Sequence, residues 1–94
     1  MDAKEIIENG LGSIGKVKIV KALAEENKMA TIYLLQKKTH LKRDDIKKNL
    51  DDLVSIGWVV QSRYANTMYS INKGNHYVTR LLDYMNDVGY IDHT

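Results

Sequence analysis

The sequence predicts a mainly α-helical fold with one small β-hairpin (α+β), in the order helix, strand, helix, turn, helix, hairpin, helix. Two observations predict it. Apolar residues line one face of three of the four helical stretches, the pattern of a helix with one buried side, and the Thr31 cap marks the remaining one, the second. Between the third and fourth of these lie two β-branched and aromatic segments, 58–64 and 68–71, separated by Ala65-Asn66-Thr67, a gap of hairpin size. At 94 residues the chain supports one core and so one domain, 1–94, because a unit of this size buries only roughly 60–70% of its unfolded surface.

With no proline present, glycine and asparagine punctuate the chain. Residues 2–9 are expected to make a short helix docked by Ile6 and Ile7. Ser13 is a candidate N-cap for the first long helix, in which Ile14, Val17, Val20, Leu23 and Ala24 line one face while Lys16, Lys18 and Lys21 mostly face water. Lys28-Met29-Ala30 is long enough for a single strand-like pairing, and the Thr31 hydroxyl then caps a second helix over 32–38. Thr39-His40-Leu41 is a tight connection. The third helix, 42–56, places Ile46, Leu50, Leu53 and Val54 on one face and stops at Gly57. Trp58 is expected to anchor the start of the ribbon in the core. Asn72 is expected to cap the last helix, 73–89, whose stripe of Val78, Leu81, Leu82, Met85 and Val88 is widened by Tyr77 and Tyr84.

Composition excludes several function classes. The absence of cysteine removes disulfides, thiolate zinc sites and cysteine nucleophiles. His40, His76 and His93 are scattered, with no metal-ligand spacing, and no phosphate-binding glycine loop, nucleophile elbow or paired-acid motif occurs. No catalysis, cofactor or metal is therefore expected. No apolar run approaches the roughly 20 residues that span a bilayer, and the N-terminus lacks the basic-then-apolar order of a signal peptide. The expected location is cytoplasmic. A net charge of only +2 is weak for a non-specific nucleic-acid coat, so any DNA affinity must come from local placement of charge.

A helix pair joined by a short turn and followed by a two-stranded ribbon presents its second helix to a major groove about 12 Å wide. With Ile46, Leu50 and Leu53 inward, a step of about 100° per residue turns Asp44, Lys47, Lys48, Asp51 and Ser55 outward. Lys42 and Arg43 stand at the helix mouth, where basic side chains reach guanine edges or phosphates, and Asp44 could accept from a cytosine amino group. Asp44 and Asp45 also suit the positive end of the helix dipole. Asp51 and Asp52 oppose DNA unless they face elsewhere. At the ribbon, Arg63 and Asn66 are placed to flank the backbone or minor groove.

These residues resemble winged helix-turn-helix transcription regulators, particularly archaeal ones of the ArsR/MarR-like kind. The resemblance covers nearly the whole chain. It runs through the Leu-Gly-Ser and basic-apolar segment 11–23, the second helix and turn 30–41, and above all 41–59, with its Leu, Ile, Leu, Leu, Gly, aromatic, Val spacing. It implies that helix 42–56 enters the major groove of double-stranded DNA, that residues 58–71 form the wing, and that helices outside the core make a homodimer. Arg43, Asp44, Lys47 and Lys48 carry over as groove-facing residues, with Thr31 and Lys42 beside them, and Arg63 and Asn66 as wing residues. Three positions depart from the pattern: Lys42 stands where a Ser or Thr cap is usual, His40 where the turn has glycine, and Gln36 where a small residue is usual.

The apolar last helix suits dimerisation through Tyr77, Leu81, Tyr84, Met85 and Val88, since a monomer would leave a large patch wet; a small-effector site on its Tyr and Met side chains is the alternative. The expected function is sequence-specific DNA binding by a nucleoid-associated regulator. The alternatives are a protein-interaction module that uses the outer acids of helix 42–56, and a sequence-tolerant chromatin protein.

Overall fold

The computed structural model describes residues 12–26, 29–63 and 65–91. The expected helix 2–9 lies outside these residues, as do Lys28, Tyr64 and His93. Its elements are α1 (Ile14–Glu26), α2 (Ile32–Thr39), α3 (Arg43–Ser55), β1 (Val59–Arg63), β2 (Thr67–Ile71) and α4 (His76–Asp87). The order is the expected one.

Helix α1 starts where the Lys16 N–H donates to Ser13 Oγ at 3.2 Å. Val20, Leu23 and Ala24 face inward as expected and Val17 packs beside Ala24, but Ile14 is 73% exposed and Ile19 is fully buried in addition. Gly15 faces α3, where an added Cβ would stand 2.6 Å from Asn49 Nδ2. Lys16 does not face water as expected, but reaches the Asp52 carboxylate at 3.1 Å.

The helix-turn-helix is set by local chemistry. Thr31 Oγ1 accepts from the Leu34 N–H at 3.2 Å and caps α2, as the sequence predicts. At the other end the Thr39 hydroxyl donates to Leu35 O at 2.6 Å and accepts from the Leu41 N–H at 3.2 Å, bracing the turn. His40 lies between them in the left-handed region, φ 60°, and its N–H donates to Gln36 O at 2.9 Å. This ending normally selects glycine, because a Cβ is strained there. Replacing His40 by Gly should therefore stabilise the fold by about 0.5–1 kcal/mol, read as a higher urea midpoint with an unchanged slope; a lower midpoint would show that the imidazole contributes more than its backbone costs.

Helix α3 has no side-chain cap, since Lys42 occupies that position. Asp44 and Asp45 in its first turn compensate through the dipole. It ends at Gly57, φ 80°, with the Trp58 N–H bonded to Leu53 O and the Gly57 N–H to Val54 O, both at 3.0 Å. Trp58 is thereby turned into the core, fully buried against the cluster that holds Ile19, Leu23, Leu35, Ile46, Leu50 and Leu53.

The strands β1 and β2 pair antiparallel, with Val59 opposite Ile71 and Arg63 opposite Thr67. Ala30 adds the expected single pairing: its N–H and carbonyl both bond Tyr69 at 2.8 Å. Strand alternation separates the ribbon's faces. The pairs Val59–Ile71, Gln61–Tyr69 and Arg63–Thr67 share one face, and Val60–Ser70 and Ser62–Met68 the other.

The start of α4 differs from expectation. Asn75, not Asn72, is its N-cap, accepting from the Val78 N–H at 3.1 Å. Asn72 is engaged elsewhere, its Nδ2 donating to Gly57 O at 2.8 Å and its Oδ1 accepting from the Gly74 N–H at 3.1 Å. It ties the end of the ribbon to the end of α3. The rest of α4 packs Val78 into the main core and Met85 into a second cluster with Ala24 and Ile91.

Candidate nucleic-acid interface

The three apolar side chains expected to seal α3, Ile46, Leu50 and Leu53, are all 0% exposed. The opposite side is open: Lys42, Arg43, Asp44, Lys47, Lys48 and Asp51 are all exposed. One rod thus has a dry side fastened to the core and a wet side that carries four cations. Its two later acids do not lie together there. Asp52 is drawn sideways to Lys16 on α1, so its charge is partly neutralised within the fold; Asp51 remains on the outer side.

Asp51 does not stand alone. Burial raises the Tyr69 phenol above its ordinary value, the Asp51 carboxylate adds to the rise, and the Arg63 and Arg43 guanidinium groups oppose it. Charges on α3 and on the wing thus both act on Tyr69. Gln61, opposite Tyr69 in the ribbon, places its amide 3.5 Å from the Tyr69 hydroxyl. With its oxygen turned toward the cation, it accepts from Arg63 Nε and Nη2 at 3.2 Å each. The exposed Arg63 is thus held at one edge of its guanidinium rather than left to sweep freely.

Neither Tyr69 nor Gln61 was singled out as a site residue from the sequence. The signal that could have found them is the alternation of the ribbon, which puts both on the face of Arg63. Because the folded phenol titrates above its unfolded value of 10.0, its contribution to stability is complete below that pH and is lost as pH rises through the folded value. Tyr69→Phe should remove a phenol that ionises above 10.0 from a titration followed at 295 nm and flatten the alkaline loss of stability; an unchanged curve would contradict the burial of this hydroxyl.

The remaining expected site residues are less closely gathered. Asn66 is exposed at the hairpin tip. Thr31 is half-buried, and its oxygen already accepts the α2 cap bond, so only its hydroxyl proton remains to be donated to a phosphate. Of the residues expected at a dimer surface, Met85 is buried and Leu81 is packed against both apolar clusters of its own chain. Tyr77, Tyr84 and Val88 are exposed, at 40%, 63% and 58%.

Among the described residues, no group of three His, Asp or Glu side chains is arranged to hold a metal ion, and no helix is long and apolar enough to cross a membrane. No family model matches the sequence, and no curated protein matches it. Among solved structures, NolR from Sinorhizobium fredii is similar, with a TM-score of 0.73 over 95% of this chain and 89% of that one, at 18% identity. At this identity the likeness speaks to architecture: the four helices and two-stranded antiparallel hairpin found among the described residues make a winged helix-turn-helix of the kind seen in NolR.

Proposed function

We propose that the chain, as a single domain, is a sequence-specific double-stranded DNA-binding transcription regulator without catalytic activity, acting in the cytoplasm on the nucleoid. Helix α3 enters the major groove, and the wing, with Arg63 and Asn66, lies on the adjacent backbone or minor groove. The observation that carries this reading is the two-sided character of α3. Its apolar side is completely sealed, while Arg43, Lys47 and Lys48 project from the other and take part in neither of the ion pairs found among the described residues. The NolR-like fold supports it, since a helix-turn-helix holds its second helix in the attitude that groove entry needs.

The assembly in this proposal is a homodimer through α4. Tyr77, Tyr84 and Val88 supply the apolar surface, Leu81 and Met85 backing it from beneath. Two copies of α3 would then meet successive major grooves about 34 Å apart on a near-palindromic site. Sedimentation should show a dimer that Tyr84→Glu and Val88→Glu together dissociate; a monomer at all concentrations would remove this part of the proposal.

Titration of duplex at low salt tests the function itself. Binding should be tighter to a selected site than to random sequence. Equal affinity for all sequences would favour a chromatin protein, and no binding at tens of micromolar protein would favour an interaction module built on Asp44, Asp45 and Asp51.

A further inference from the structure

Behind the wing lies a cavity of about 540 Å³, within the range of small-molecule sites, roughly 300–1,000 Å³. Leu23 of α1, Met29, Val60, Ile71 and Leu82 of α4 make its apolar walls. Met29 and Val60, each 43% exposed, are large side chains left wet at its lining. The ribbon contributes the directly opposed pair Val60 and Ser70, on the face opposite to that of Tyr69 and Arg63, together with Ile71 at the end of β2.

The polar lining decides what could fill this space. Thr79 and Asn72 are engaged in the fold, the first donating to Asn75 O at 3.0 Å and the second bonded to Gly57 O. Lys73 and Asp83 are different. Both line the cavity, and neither belongs to the ion pairs formed among the described residues, Lys16–Asp52 and Lys38–Glu26. The Ser70 hydroxyl is likewise uncommitted among them. An apolar space lined by one uncommitted ammonium and one uncommitted carboxylate complements a molecule that carries both opposite charges on an apolar body.

We propose that this cavity binds a small zwitterion with an apolar body, by class an apolar α-amino acid, its carboxylate on Lys73 and Ser70 and its ammonium on Asp83. A ligand there rests on the back of the strand pair whose front holds Arg63, and on α4. Occupancy therefore biases the wing relative to the last helix. That consequence rests on the DNA-binding reading, whereas the site itself does not.

Three matched probes test the site by calorimetry and thermal shift on the full chain without DNA: L-phenylalanine, 3-phenylpropanoate, which lacks the ammonium, and phenethylamine, which lacks the carboxylate. L-Phenylalanine should bind saturably and raise the melting temperature, with each single-charge analogue weaker by roughly two- to fivefold, since Lys73 and Asp83 are exposed. Lys73→Ala and Asp83→Ala should each weaken L-phenylalanine by a similar factor, and Val60→Trp should fill the cavity and abolish binding while the protein still melts cooperatively. Lack of saturable binding, analogues that bind equally well, or Lys73→Ala and Asp83→Ala variants that bind as the parent does, would each overturn the proposal. Duplex titration with and without L-phenylalanine is a separate arm: loss of DNA binding in both conditions, with calorimetric binding intact, would sink the DNA reading and leave the site standing.

Discussion

The Lys47→Ala, Lys48→Ala double variant is expected to lose roughly 50-fold in duplex affinity at 0.1 M salt, with the slope of log K against log salt shallower by about 1.8. Each cation that meets a phosphate releases counterions worth about 0.9 of that slope, and both side chains are exposed on α3. The fold should be untouched, because the face that anchors this helix is Ile46, Leu50 and Leu53, all 0% exposed. Fluorescence anisotropy across a salt series, with circular dichroism as control, reads both quantities. Parental affinity and slope in the double variant would falsify the placement of α3 in the groove. Arg63→Ala should act more weakly, because the wing offers one held cation where the helix offers several.

A second large effect is expected from Leu50→Ala, which should destabilise the fold by about 2–5 kcal/mol, the usual range for a buried leucine. Leu50 is fully enclosed in the cluster that also takes Trp58, Leu35 and Leu23, and a fold of this size holds only about 5–15 kcal/mol in total. Urea unfolding should show a much lower midpoint, and DNA binding should fall in parallel with the folded fraction. The contrast with the lysine pair is the point. One variant loses binding with the fold intact, the other loses binding only as it loses the fold, because the two sets of residues occupy opposite sides of one helix.

Much of the fold was legible because its signals are local. A Thr31 hydroxyl three residues before the N–H it caps, a Gly57 that takes φ 80°, and apolar spacing at 46, 50 and 53 need no knowledge of the rest of the chain. His40 was legible too, as a residue standing where the turn needs a left-handed conformation. The start of α4 was not. Asn72 and Asn75 are both competent caps, and the choice fell to Asn75 because Asn72 is held by the Gly57 carbonyl, 15 residues earlier in the chain. Nor was the first turn of α1, where Ile14 stays exposed, Gly15 approaches Asn49 closely and Lys16 turns to Asp52, none of which periodicity records.

The candidate interface divides in the same way. By itself the sequence determined which residues are cationic, which helix carries them and which of its faces is apolar, since a helix turns by a constant angle per residue. Only the tertiary structure decided that Asp52 leaves that surface for Lys16, that Gln61 joins Tyr69 and Arg63 on one face of the wing, that Met85 serves its own core, and that a lined cavity stands behind the ribbon. These depend on contacts between residues far apart in the chain, whose distances are set by how the elements pack and not by the order in which they occur.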